Sequence, residues 1–213
     1  MFTFRNLFFL FMFYSIVGWI LEVLNSVVQE HKFVNRGFLI GPYCPIYGFG
    51  CVMITICLWN NTQDFVGLFL KSVFICSVLE YVTSYLMEKI FKYRWWDYSN
   101  RRFNINGIIC LETMIPFGLG ACLIAKVINP FLFKVIGNMN ETLSLVLFIV
   151  LLVIILIDTV FSNIFVYKIS KVQKNTKTDS TEELKAKMIE FISKGRTFYK
   201  RIFDSFPDLR KSK

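Results

Sequence analysis

Five ionisable side chains interrupt long apolar runs in this chain: Glu22, Lys71, Glu80, Glu112 and Asp158. At the centre of a bilayer an Asp, Lys or Arg costs roughly 2.5–3.5 kcal/mol on the insertion scale. Residues kept at that cost mark binding, relay or pairing sites by default. Their neighbours are polar at helical spacing. Ser15, Gly18, Glu22, Asn25 and Gln29 recur three or four apart, as do Ser77, Glu80, Ser84 and Glu88, so each set lies along one face of a helix. Asp158, Ser162 and Asn163 gather in the same way. Polar stripes of this kind are expected to face a bundle interior, because lipid cannot solvate them.

Two chemistries suit buried carboxylates. They can bind a small polar or cationic substrate or relay protons. A nearby pair can also act as general acid and base, if their environments set their pKa values apart. The single histidine, His31, has no second ligand at metal-site spacing, and no HExxH or GxSxG motif occurs. No metal site is therefore expected, and no recognised catalytic motif supports an enzyme. The six cysteines form no CxxC pair and read as small apolar packing residues.

These residues need helices to hold them, and the composition says in what solvent. Of 213 residues, 55% are hydrophobic and the mean hydropathy is +0.53, too apolar for a soluble domain of this length. The apolar residues come in runs long enough to cross a hydrocarbon core of roughly 30 Å. Five spans are expected, at about 7–28, 38–59, 65–91, 105–131 and 143–167, giving an all-α transmembrane bundle over 1–168. The alternating pattern of a membrane β-barrel is missing.

Orientation follows from lysine and arginine. The loop after the first span carries Lys32 and Arg36, the loop after the third carries Lys89, Lys92, Arg94, Arg101 and Arg102, and the tail from Lys168 carries thirteen basic and six acidic residues. These segments share one side in a five-span chain. The expected topology is a multi-pass plasma-membrane protein with its N-terminus outside and its tail cytoplasmic. The tail, 169–213, reads as a linker over Ser170–Asp179 and then an amphipathic helix at about 181–203, opened by a Ser180/Glu183 capping box. Such a helix suits an anionic membrane surface or a partner; its positive charge is that of any cytoplasmic tail, not of a nucleic-acid binder. On this topology Glu22, Glu80, Glu88, Glu112 and Asp158 fall in the inner half of the membrane. Asn35, Arg36, Arg94, Asp97, Asn104 and Asn106 supply the inner loops, and Ser84 joins the stripe. The expectation is an acid-lined cavity opening inward. Lys71 falls toward the outer half and is expected to snorkel or pair locally.

Breakers disturb two spans. The second holds Gly41-Pro42-Tyr43-Cys44-Pro45, then Gly48 and Gly50; the fourth holds Pro116, Gly118 and Gly120. Paired Gly/Pro-interrupted segments point to a transporter binding site, because unwound backbone can bind substrate or ion, although glycine also serves close helix packing. The first two spans further resemble the next two. Leu21, Glu22 and Ser26 match Leu79, Glu80 and Ser84, and Phe33–Gly50 lies on Phe103–Gly120 without a gap. A parallel internal repeat would account for this. The Arg94-Trp95-Trp96-Asp97-Tyr98 run reads as an interfacial aromatic element with an ion pair.

Several of these motifs are long and specific: Gly18-Trp19 with Glu22; Phe33-Val34-Asn35-Arg36-Gly37-Phe38-Leu39 with Gly41-Pro42-Tyr43-Cys44-Pro45-Ile46-Tyr47-Gly48; Leu79-Glu80-Tyr81 with Ser84 and Glu88; Arg94–Tyr98; and Phe103–Gly107 with Cys110-Leu111. Over roughly residues 8–130 they resemble the CmpB-like family of ABC-transporter permeases, bacterial polytopic membrane proteins. The resemblance implies a transport component. The chain has no GxxxxGK[ST] loop, so it holds no cofactor itself, and ATP would act only through a separate ATPase subunit. Arg94, Trp95, Trp96 and Asp97 in the third loop are the expected docking surface for that subunit. Membrane lipid and a second copy of the chain are the other expected partners. A membrane-embedded enzyme acting on a lipid, and an accessory or regulatory protein working through its tail, remain the alternatives.

Overall fold

The computed structural model describes residues 2–31, 37, 39–59, 64–91 and 96–175. They form α1 (Phe4–Glu30), α2 (Pro45–Leu58), α3 (Phe65–Phe91), a hairpin of β1 (Asn104–Ile105) and β2 (Ile109–Cys110), α4 (Leu111–Leu123), a π-helical turn (Ile124–Ile128), α5 (Asn129–Gly137) and α6 (Glu141–Asn175). Among the described residues four helical stretches are long and apolar enough to cross a membrane: Phe4–Val28, Phe65–Ile90, Leu111–Gly137 and Glu141–Ile164. The protein is thus an all-α membrane protein. Many large apolar side chains, including Leu145, Val146, Ile149, Val153, Leu156 and Val160 of α6, are exposed, as lipid-facing residues must be.

Helix limits differ from the sequence expectation at three places. The second apolar stretch does not become helical until Pro45, seven residues after Phe38. Pro45 suits a first helical turn, where its missing amide hydrogen goes unneeded. At 14 residues and 1.5 Å per residue, α2 is roughly 21 Å long, shorter than the hydrocarbon core. The fourth stretch becomes helical at Leu111 and not at Ile105, because the β1–β2 turn occupies the preceding residues. The last helix continues to Asn175, through the start of the expected linker. The amphipathic segment at 181–203 lies outside the described residues.

The chain divides into two compact units, Met1–Gly18 with Pro45–Ile154, and Trp19–Cys44 with Ile155–Lys213. Among the described residues the first has two apolar centres. Ile54, Leu58, Leu68, Ala121, Cys122 and Ala125 form one, and Leu10, Tyr14, Cys51 and Phe133 form the other. Gly48 of α2 and Gly118 of α4 sit inside continuous helix and serve close packing. A Cβ on Gly48 would lie 2.3 Å from Ser15 Oγ and 2.5 Å from the Phe11 carbonyl oxygen; one on Gly118 would lie 2.4 Å from Val73. Small residues let membrane helices approach in this way. Gly37 and Gly107, which the internal alignment pairs, both adopt positive φ, 129° and 69°.

Three side chains build a buried polar network in this unit. Tyr14 donates its hydroxyl to Asn129 Oδ1 (2.6 Å), Asn129 Nδ2 donates to Thr55 Oγ1 (2.8 Å), and Thr55 donates to the Cys51 carbonyl (2.6 Å). Asn129 precedes Pro130 and follows the π-helical turn. Pro130 cannot donate to a carbonyl one turn back, and a local widening to π geometry is a known response at such positions. Replacing Asn129 by Ala leaves the Tyr14 hydroxyl without its acceptor, at about 1–3 kcal/mol for a buried group left unmet, while Thr55 keeps its bond to the Cys51 carbonyl. The expected result is a lower thermal midpoint for the detergent-purified protein. Adding Tyr14→Phe to Asn129→Ala recovers part of that loss, because the left-over buried donor is then removed.

Candidate functional site

The second unit is organised by one carboxylate. Asp158, on α6, is 8% exposed and receives four hydrogen bonds. The Ile40 amide (2.9 Å) and the Ser162 hydroxyl (2.9 Å) donate to Oδ1; the Gly41 amide (2.7 Å) and the Tyr43 hydroxyl (2.5 Å) donate to Oδ2. Ser162 reaches it because residues four apart share a helix face.

The local sequence explains why the loop offers its amides. Gly41 and Pro42 stop helix formation before Pro45, so the amides of Ile40 and Gly41 have no partner one turn back. Tyr43 donates its own amide to the Gly41 carbonyl (2.9 Å), a tight γ-type bend. Only glycine fits at 41, since a Cβ there would lie 2.3 Å from the Tyr43 ring. The Cys44 thiol packs beneath Gly37, 3.2 Å from where a Cβ would stand. Glu22, half-buried on α1, lies within electrostatic reach of that thiol. Two of the sequence-selected carboxylates, Glu22 and Asp158, are thereby brought to the same interrupted segment.

The remaining described candidates belong to the first unit. On α3, Ser77, Glu80 and Ser84 are 8%, 7% and 2% exposed, and Glu88 is half-buried. On the hairpin, Asn104 Nδ2 donates to the carbonyls of Ser99 (3.3 Å) and Arg101 (2.7 Å), and its Oδ1 accepts the Gly107 amide (3.0 Å). Asn106 Nδ2 donates to the Tyr81 hydroxyl (2.8 Å). These asparagines hold a turn in which Phe103, Asn106 and Gly107 all have positive φ. Glu112 accepts from Arg101 (3.0 Å) with both side chains more than half exposed, a pair that adds little stability. Trp96 donates its indole N–H to the Ile108 carbonyl (2.9 Å), and Asp97 accepts from the Ser99 amide and hydroxyl. Asn35, Arg36, Arg94 and Trp95 lie outside the described residues. Lys71 is exposed on α3, and the six cysteines are free thiols.

Sequence reasoning missed the pairing of Asp158 with the loop, the Tyr43 hydroxyl, and the whole Tyr14–Asn129–Thr55 network. A signal for the first was present. A Gly-Pro break within an apolar run leaves amides that need an acceptor, and Asp158 is the acidic residue of the last apolar run.

A protein-family model described as "Putative ABC-transporter type IV" (ABC_trans_CmpB) matches residues 9–163 of the chain. The match takes in α1, the interrupted segment, the hairpin and Asp158. No curated protein and no solved structure matches the chain.

Asp158→Asn turns two acceptor positions into donors, so at least one of the paired amide–hydroxyl sets loses its partner. The expected outcome is faster maleimide labelling of Cys44, which is 6% exposed in the intact segment. Peptide mass spectrometry after timed labelling reads this out. A Cys44 rate unchanged from wild type would show that the carboxylate does not hold the segment.

Proposed function

The chain belongs to the CmpB-type ABC-transporter type IV family, and from that premise we propose that it is the membrane component of a transport system for a small polar or cationic substrate. The observation that most supports this is the interrupted segment fastened to Asp158. Irregular backbone at membrane depth is tolerated where it is buried in protein or lines a cavity, and discontinuous helices build transporter binding sites. An ordinary packing helix would not need a break with an acid to hold it.

Glu22 and Glu80 are each proposed to contact substrate, as are Ser84, Glu88, Asn35, Arg36, Asn104, Asn106 and Glu112; Asp158 instead holds the interrupted segment. The acid positions set the preference for positive or hydrogen-bond-donating substrates. The basic segments support a cytoplasmic tail, and on that side a separate ATPase subunit would supply energy through the loop bearing Arg94, Trp95, Trp96 and Asp97.

Mass spectrometry of the protein purified gently from membranes tests both parts. An ATPase subunit is expected to copurify, and Arg94→Glu should release it. A small polar molecule is expected in the wild-type preparation and should be lost from Glu22→Gln and Glu80→Gln proteins that still give a helical circular dichroism spectrum. Turnover of a lipid by the purified chain alone would replace transport with enzymatic chemistry.

A further inference from the structure

The β1–β2 hairpin presents a side chain that the packing of its own chain does not explain. Phe103 is 79% exposed, the most exposed large apolar side chain among the described residues, and its φ is +52°. A bulky residue rarely adopts that left-handed conformation, because its Cβ crowds the backbone. The surrounding turn holds it there. The Asn104 side chain bonds the carbonyls of Ser99 and Arg101 and the Gly107 amide. The Tyr98 amide donates to the Gly107 carbonyl (2.7 Å), and the Arg101 amide donates to the Tyr98 carbonyl (2.8 Å). The turn is thus closed by its own bonds on both sides of Phe103, and the ring is turned outward at a cost in backbone energy. Strain that a structure maintains in this way clusters at binding elements.

The placement of the hairpin says what covers the ring. Asn106, at its turn, bonds the Tyr81 hydroxyl on α3. Tyr81 lies nine residues before the end of the membrane-long stretch Phe65–Ile90, roughly 14 Å along the helix axis. The register pairs Asn104 with Cys110, so Phe103 comes beside Leu111, where the next membrane-long stretch, Leu111–Gly137, starts. Tyr85, Leu86 and Ile90 of α3 and Leu111 and Ile115 of α4 are exposed there too. A partner that stays in water would not reach a ring at this depth. The charge of the segment fits a lipid surface as well. Residues 89–111 carry five basic side chains and one acidic. Arg101 is paired with Glu112, but Arg102, next to Phe103, is exposed and makes no ion pair among the described residues. An aromatic ring beside an arginine suits the headgroup region, with the ring at the acyl boundary and the guanidinium on a phosphate. Basic residues near the surface favour anionic lipid.

We propose that the hairpin is a lipid-binding wedge, in which Phe103 inserts at the acyl boundary and Arg102 holds the phosphate of an anionic phospholipid. The hydrogen bonds of the turn keep ring and guanidinium in place before lipid arrives, so little freedom is lost on binding. The wedge does not depend on the transport function above.

Photo-crosslinking of the full-length protein tests this, both in nanodiscs of equimolar phosphatidylglycerol and phosphatidylcholine and in native membranes. Phe103→p-benzoylphenylalanine is expected to give a phospholipid adduct by mass spectrometry, and Asn100→p-benzoylphenylalanine, in the exposed part of the same turn, little or none. Phosphatidylglycerol should predominate among the adducts. Arg102→Gln should reduce that preference about fivefold, the counterpart of about 1 kcal/mol per basic residue at an anionic surface. A second variant needs no crosslinker. Glycine adopts positive φ freely, so Phe103→Gly relieves the backbone while removing the ring. An unfolding midpoint in nanodiscs that falls all the same supports insertion of the ring; one that holds or rises overturns it. The proposal is also overturned by a yield at 103 no higher than at 100, by a lipid preference unchanged in Arg102→Gln, or by crosslinking at 103 in native membranes to a protein in place of lipid.

Discussion

The hydrogen bonds between Asp158 and the segment before α2 meet the central constraint on this protein. Lipid offers no donor or acceptor, so any backbone group that leaves a helix in the membrane must find its partner in the protein. The chain breaks helix at Gly41-Pro42 and exposes two successive amides. A carboxylate has two oxygens with two acceptor positions each, and Asp158 fills them with the Ile40 and Gly41 amides, the Tyr43 hydroxyl and the Ser162 hydroxyl. A neutral side chain could not do the same. An amide presents one acceptor and one donor end, and a serine lacks the reach to bridge two amides. The aspartate and the break therefore depend on each other: without the break the acid would be a liability in an apolar helix, and without the acid the break would be.

The same constraint shapes the first unit by different means. Ser15 and Thr55 return their hydroxyls to carbonyls of their own helices, and Tyr14, Asn129 and Thr55 join in a network. Where Pro130 removes a backbone donor, the helix widens instead of breaking, and Asn129 at the junction bonds in two directions. Glycines at 48 and 118 admit Ser15, Phe11 and Val73 to contact the helix backbone closely. In lipid there is no hydrophobic force to bring helices together, so such contacts and buried hydrogen bonds do much of the work of association.

The membrane class and the long apolar stretches could be read from residue type alone, because lipid exposure leaves plain marks in a sequence. The limits of the helices were harder. Apolar content says that a segment is buried in lipid but not where it becomes helical, and so Phe38 and Ile105 were natural starts by hydropathy while Pro45 and Leu111 are the starts by backbone geometry. The hairpin before α4 was hidden for a related reason: its positive-φ residues include Phe103 and Asn106, and a phenylalanine in that conformation has no sequence signature. Asn129 was hidden because asparagine beside proline at the end of an apolar run reads as a turn. Its role depends on Tyr14 and Thr55, which are distant in sequence and ordinary in type.

Asp158 began as one candidate among several intramembrane acids, and its surroundings give it a definite structural task. Every acceptor position of Asp158 is engaged by a donor from its own protein, so a ligand could bind there only by displacing the backbone that the acid holds in place. That is the environment of a fastening. An intramembrane carboxylate that holds structure is thus recognised less by its burial than by the donors of its own chain that take up all of its acceptor positions.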